Sequence, residues 1–132
     1  RLADAMSSQA VRAAETFTAH GVASLMWAFA TMDLKAEKAL VDAMSARATT
    51  IAAQFEPQGV SNLMWAFATM ELRAAAGLVE AMSRQAVRGA SEFEPQAVAN
   101  LMWALATMGL RAEAELVEAM SARAMERADA FK

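Results

Sequence analysis

Cysteine and tyrosine are missing from this chain, proline occurs only twice and histidine once. Without cysteine there is no disulfide framework and no thiolate metal site, which fits a reducing compartment and excludes redox chemistry through the protein's own thiols. The single histidine, His20, leaves no histidine dyad and no histidine-based metal site to be built by this segment alone, so a surface or groove role is expected for it. A Gly-rich phosphate loop, a His-Glu-x-x-His pair and a nucleophile elbow are all lacking. Carboxylates such as Glu113 and Glu115 fall on a helical stretch with no sign of a pocket, which argues against general acid–base work. No enzyme activity and no cofactor are expected.

Long hydrophobic runs are missing too. The strongest, Val22 to Met32, is about half of the ~20 apolar residues that cross a bilayer, so it reads as a core helix and no membrane insertion is expected. Positive charge is scarce: the net charge is −3 and the pI about 5.2, which excludes nucleic-acid binding by overall charge and requires a local basic row instead. The chain starts with Arg1 rather than Met and reads as part of a longer product.

What is abundant is apolar and helix-forming. Of the residues, 57% are hydrophobic, alanine is very frequent and β-branched residues are few, a mixture that favours helix over sheet.

The chain is also internally repetitive. Trp27, Trp65 and Trp103 are spaced by 38 residues, as are Phe17, Phe55, Phe93 and Phe131, and Met6, Met44, Met82 and Met120. Aligning Phe55–Glu92 with Phe93–Ala130 gives 25 identities in 38 positions, so the period is a structural unit. Residues 1–16 match the end of a preceding unit, 17–54, 55–92 and 93–130 are three full units, and 131–132 begin another. Neither end reads as the polar cap a solenoid requires, so further repeats or partners are expected on both sides.

Each unit divides into two helical stretches. The first opens at Pro57 or Pro95, where the missing N–H is harmless, and at Thr18, a natural cap, in the earlier unit. It is expected to run from about Pro57 to Met70. After a short connection at Asp33-Leu34, Glu71-Leu72 or Gly109-Leu110, the second stretch is expected to begin near Lys35, Arg73 or Arg111 and continue for about five turns to the next Phe. Short connections of this kind join antiparallel neighbours. The reading is an all-α fold, a right-handed α-solenoid of antiparallel helix pairs.

On a helical wheel, Val60, Leu63, Met64, Phe67 and Met70 gather on one side of the first helix, as do Val22, Leu25, Met26, Phe29 and Met32 one unit earlier. Ala75, Leu78, Val79, Met82 and Ala86 form the facing stripe of the second helix, with methionine as adaptable filler. The other side of the first helix carries Gln58, Ser61, Asn62, Trp65 and Thr69. Its equivalents are His20, Ala23, Ser24, Trp27 and Thr31, then Gln96, Ala99, Asn100, Trp103 and Thr107. Two readings of a tryptophan in a polar stripe stand side by side: each indole wedges between neighbouring helices, or the indoles form a ladder on which bases stack.

A cation, Lys35, Arg73 or Arg111, recurs at the start of each second helix, where the helix dipole disfavours it by several tenths of a kcal/mol. It serves either a ligand or an ion pair with a neighbouring unit. Asp42, Glu80, Glu113, Glu115 and Glu118 read as a solvated face, with Glu80 and Arg84 as an i,i+4 pair.

A 38-residue two-helix unit with Phe-Glu-Pro-Gln-x-Val-x-Asn-Leu-Met-Trp-Ala-x-Ala-Thr-Met resembles the octotricopeptide repeat family along the whole chain. The resemblance implies a right-handed α-solenoid that binds single-stranded organellar RNA in chloroplasts or mitochondria and supports transcript stability, processing or translation. Its Pro-Gln positions fall on Pro57-Gln58 and Pro95-Gln96, its Asn on Asn62 and Asn100, and its Trp on Trp27, Trp65 and Trp103. The first unit departs from the pattern, with Ala19-His20 and Ser24. The RNA-binding set is therefore expected to be His20, Ser24, Trp27, Lys35, Gln58, Asn62, Trp65, Arg73, Gln96, Asn100, Trp103 and Arg111. The competing expectation is a protein-interaction scaffold or structural subunit of an organellar assembly, which the acidic charge and the near-identity of the units favour.

Overall fold

The protein is described from a computed structural model covering residues 2–109 and 114–126. Among these residues every regular element is helical: α1 (Leu2–Arg12), α2 (Ala19–Thr31), α3 (Lys38–Thr50), α4 (Pro57–Thr69), α5 (Ala76–Arg88), α6 (Pro95–Thr107) and α7 (Ala114–Glu126). A single 3₁₀ turn follows α1, α3 and α5, at Ala14–Thr16, Ala52–Gln54 and Ala90–Glu92.

The even-numbered helices begin in the manner their sequences dictate. Thr18, in extended conformation, accepts a hydrogen bond at its side-chain oxygen from the Gly21 N–H at 3.0 Å and caps α2. Pro57 and Pro95 take the first position of α4 and α6, where no N–H is needed. These helices end in a paired turn. Asp33 and Glu71 adopt left-handed backbone (φ 55° and 57°), while Leu34 and Leu72 donate their N–H groups back to the Phe29 and Phe67 carbonyls at 2.9 Å. Gly109 holds the same conformation after α6 (φ 69°).

That turn corrects the expected start of the odd-numbered helices. The chain stays non-helical after it, so α3 opens at Lys38 and α5 at Ala76, three residues beyond Lys35 and Arg73. Ala75, expected in the buried stripe, is instead the extended residue before α5 and is exposed. These helices are also shorter than five turns. Backbone at Ile51 (φ −108°, ψ 24°) and Gly89 (φ −98°, ψ 15°) leaves the α conformation and enters the 3₁₀ turn, which delivers Phe55 and Phe93 into the interior.

Helix α4 packs between α2 and α6, and in a second row α3 packs against α1 and α5, with α5 against α7. The two rows share one apolar core. Val22, Met26 and Phe29, Val60, Met64 and Phe67, and Val98, Leu101 and Leu105 meet Leu40 and Met44, Leu78 and Met82, and Leu116 and Met120. Each such side chain contributes roughly 1.5–3 kcal/mol when fully buried. Met32 departs from the expected packing face: it is 56% exposed, whereas Met70 and Met108 lie against the core. Among the described residues, α2 packs against one even-numbered helix, α4, whereas α4 packs against two.

Candidate functional site

The even-numbered helices position most of the residues expected to bind a ligand. Trp27, Trp65 and Trp103 occupy equivalent turns of α2, α4 and α6. The Trp27 and Trp65 ring centroids are 6.5 Å apart with planes tilted by 36°, a spacing at which aromatic rings attract one another. Trp27 is 44% and Trp103 48% exposed, while Trp65 is half-buried and also rests on the core. The middle indole thus packs against the core, and the outer two present their surface to solvent.

One turn before each indole stands a hydrogen-bonded side-chain pair. Gln58 Nε2 donates to Asn62 Oδ1 at 2.9 Å on α4, and Gln96 Nε2 donates to Asn100 Oδ1 at 3.0 Å on α6. On α2 the corresponding contact joins His20 Nε2 and Ser24 Oγ at 3.4 Å. Gln58, Gln96, His20 and Ser24 are exposed, and Asn62 and Asn100 are half-buried. Because residues three and four apart share one helix face, each pair flanks its tryptophan.

The polar row is narrower than the wheel implies. Ser61 is fully buried and donates from Oγ to the Ala97 carbonyl at 2.7 Å, and Ala23 is buried as well. Both positions face the next even-numbered helix. Ala99, with no such neighbour among the described residues, is exposed. Position in the stack, which the wheel of a single helix does not contain, decides this.

Lys35 and Arg73 are exposed and lie in the connections after α2 and α4, outside any helical turn, so the dipole cost expected for them does not arise. Arg111 lies outside the described residues. Arg73 lines an open depression of about 1050 Å³ with Leu72, Val79, Ser83, Leu105 and Thr107, at the C-terminal ends of α4 and α6. No tryptophan lines it, and Arg73 lies past the end of α4, eight positions after Trp65.

The expected carboxylate face is exposed at Asp42, Glu80, Glu115 and Glu118, and Glu113 lies outside the described residues. Glu80 pairs with Arg84 at 2.7 Å as the spacing requires. Lys38 pairs with Asp42 at 2.7 Å, a hydrogen bond that raises the Lys38 ammonium above its ordinary pKa. No group of histidine and carboxylate side chains suited to a metal ion occurs among the described residues, and no described helix is long and apolar enough to cross a membrane.

Sequence reasoning missed one set of residues entirely. Arg47, Gln85 and Arg123, one in each unit, donate to the carbonyls of Phe17, Phe55 and Phe93 at 2.8, 3.0 and 2.7 Å. The signal was present as a long donor side chain recurring every 38 residues.

Two rows of helices, one bearing an aromatic and amide-rich face, define the chain as an all-helical protein of stacked helices. It belongs to the RNA-editing substrate-binding complex 6 protein family, whose model matches residues 1–132. Comparison with curated proteins gives no match.

Proposed function

We propose that this chain is a right-handed α-solenoid of antiparallel helix pairs that holds single-stranded RNA across α2, α4 and α6, as one subunit of an RNA-editing assembly. The observation that carries this reading is the indole row: Trp27 and Trp65 lie 6.5 Å apart, and Trp27 and Trp103 keep almost half their surface open beside amide side chains. An exposed aromatic face amid hydrogen-bonding groups suits stacked bases, whose contacts with aromatic side chains contribute ~1–3 kcal/mol each in single-strand binders. Lys35 and Arg73 supply phosphate contacts from the connections after α2 and α4, and Arg111, their equivalent in the sequence, is assigned the same role. The family description, which names RNA-editing substrate binding, supports the same setting.

In this reading the even-numbered helices form the concave side and the chain is a binding module without catalytic activity of its own. The resemblance to octotricopeptide repeats belongs to the proposal, as does an organellar site of action. Nothing in the family description supports a chloroplast.

The scaffold reading is favoured by a different observation. Met64 and Ala68 of α4 are buried, but their equivalents Met102 and Ala106 on α6 are half-buried and exposed. A further helix pair or a protein subunit seated there would cover them, and RNA on the indole row leaves that side free, so the two roles are compatible. The chain has no tyrosine and three tryptophans, all in the row, so intrinsic fluorescence reports on the proposed site alone. Titration with single-stranded RNA should change the indole emission saturably. Emission unchanged at RNA concentrations where a separate assay detects binding would move the RNA elsewhere, and absence of binding in both assays would leave only the scaffold.

A further inference from the structure

We propose that Thr50 is a phosphorylation site whose phosphate is clasped by Arg84 and Arg88, so that its modification switches how tightly α3 is held to α5. This surface lies on the odd-numbered row and includes none of the residues assigned to RNA above.

The repeat points to the place. Arg12, Thr50 and Arg88 are the last residues of α1, α3 and α5, each 38 positions from the next, and α3 packs between α1 and α5. A hydroxyl therefore stands in a column of arginines. Arg12 is held by Gln9 of its own helix at 3.0 Å, but on the other side of α3 the side chains converge. Thr49, Thr50, Glu80, Arg84 and Arg88 line one open depression of about 430 Å³ between α3 and α5. Arg84 and Arg88 belong to this unit alone: the equivalent positions are Ala46 and Thr50 in the unit before and Ala122 and Glu126 in the unit after.

The charges there are out of balance. Like charges at i,i+4 repel one another on a helix. Glu80 compensates Arg84 at 2.7 Å, whereas Arg88 makes no hydrogen bond and no ion pair among the described residues. Two guanidinium groups thus face the depression with one carboxylate. A phosphate on Thr50 adds a charge of about −1.5 to −2 and three acceptor oxygens, the anion that guanidinium groups bind through paired N–H donors. Neighbouring helices lie ~8–10 Å apart, a span that a phosphothreonine and an arginine side chain cover together. Thr50 is exposed, and its Oγ1 donates only to the Ala46 carbonyl of its own helix at 3.0 Å, so the hydroxyl is free of any tie to the core.

Modification is the ordinary transfer by a protein kinase. Thr50 Oγ1 forms a bond to the terminal phosphorus of a nucleoside triphosphate, the bond from that phosphorus to the bridging oxygen breaks, the nucleoside diphosphate departs and the hydroxyl proton passes to the base of the kinase. The helix dipole opposes the product, because a negative charge at the C-terminal end of α3 is unfavourable. The phosphate therefore stabilises the chain with the arginines present and destabilises it without them, and the sign of its effect reports whether the clasp forms.

The test compares the full chain with a homogeneous form carrying phosphothreonine at position 50, introduced during synthesis, and repeats the comparison in the R84Q/R88Q variant. Arg84 and Arg88 are both exposed, so the exchange leaves the core untouched. Phosphorylation is expected to raise the melting temperature of the wild type by roughly 3–8 °C and to lower that of the variant. A lowered melting temperature in the wild type, or an equal rise in both, would overturn the clasp. Peptide mapping of the protein isolated from the cells that make it is expected to find phosphate on Thr50, and its absence under every growth condition sampled would overturn the assignment of a modification site.

Discussion

Arg47 Nε lies 2.8 Å from the carbonyl oxygen of Phe17, thirty positions earlier, and so ties α3 back to the start of α2. The Phe17 carbonyl is available because the residue is extended between the 3₁₀ turn and the helix cap and makes no helical hydrogen bond. Gln85 and Arg123 hold Phe55 and Phe93 in the same way. Arg47→Ala and Arg123→Ala should each cost about 1.5–3 kcal/mol in urea unfolding, the range for charge-assisted hydrogen bonds, and Gln85→Ala about 0.5–1.5 kcal/mol. Gln85→Arg should retain full stability. A loss under 0.5 kcal/mol for both arginine variants would show that the bond does not hold the unit together.

Backbone strain gives a prediction of opposite sign. Glu71 sits at φ 57°, a conformation that L-residues adopt at a cost, while the equivalent position after α6 is Gly109. Glu71→Gly should stabilise the protein by roughly 0.5–1 kcal/mol, the relief of a left-handed residue less the added freedom of glycine in the unfolded chain. Asp33→Gly should behave alike. A lowered melting temperature in both would contradict the assigned turn.

Ser61 supplies the buried polar contact between α4 and α6. Replacing it with alanine, the residue at the equivalent positions 23 and 99, removes the donor to the Ala97 carbonyl. The expected cost is about 0.5–1.5 kcal/mol. Valine should cost more, because an added methyl must fit where Ser61 has no exposed surface. Thermal melts of the two variants establish the order, and a stabilising valine would refute the packing described.

How much of this was legible in advance follows from where each constraint lies. Pro57, Pro95 and Thr18 fix the starts of the even-numbered helices through local chemistry, and the apolar face of α4 follows from its own spacing. The late start of α3 and α5 was hidden because Lys35-Ala36-Glu37 and Arg73-Ala74-Ala75 have good helix propensity. The left-handed turn before them, and the path to the second row, override that preference. Ser61 looked like part of the polar row because a wheel shows one helix, while its burial depends on α6. The Glu80–Arg84 pair was a local pattern and forms as its spacing requires, whereas the amide pairs Gln58–Asn62 and Gln96–Asn100 were not read from the sequence although their i,i+4 spacing was there.

The recurring cations give a prediction about salt. With phosphates on Lys35, Arg73 and Arg111, log K for RNA should fall against log salt with a slope of roughly −2, at about −0.7 per single-strand contact. Replacing all three with Gln should remove most of that slope, and by a similar amount for different RNA sequences, since phosphate contacts do not read bases. Stability should hardly change, because Lys35 and Arg73 lie outside the helices and are exposed. An unchanged slope would place the phosphates on other residues.

Ultraviolet cross-linking of single-stranded RNA to the chain, followed by peptide mapping, tests most directly whether RNA lies along α2, α4 and α6. The account predicts adducts on the peptides carrying Trp27, Trp65 and Trp103, lost when the three tryptophans are replaced by leucine in a variant that still shows the helical circular dichroism of the wild type. Adducts confined to α3, α5 or α7, or an adduct pattern unchanged in the leucine variant, would contradict it.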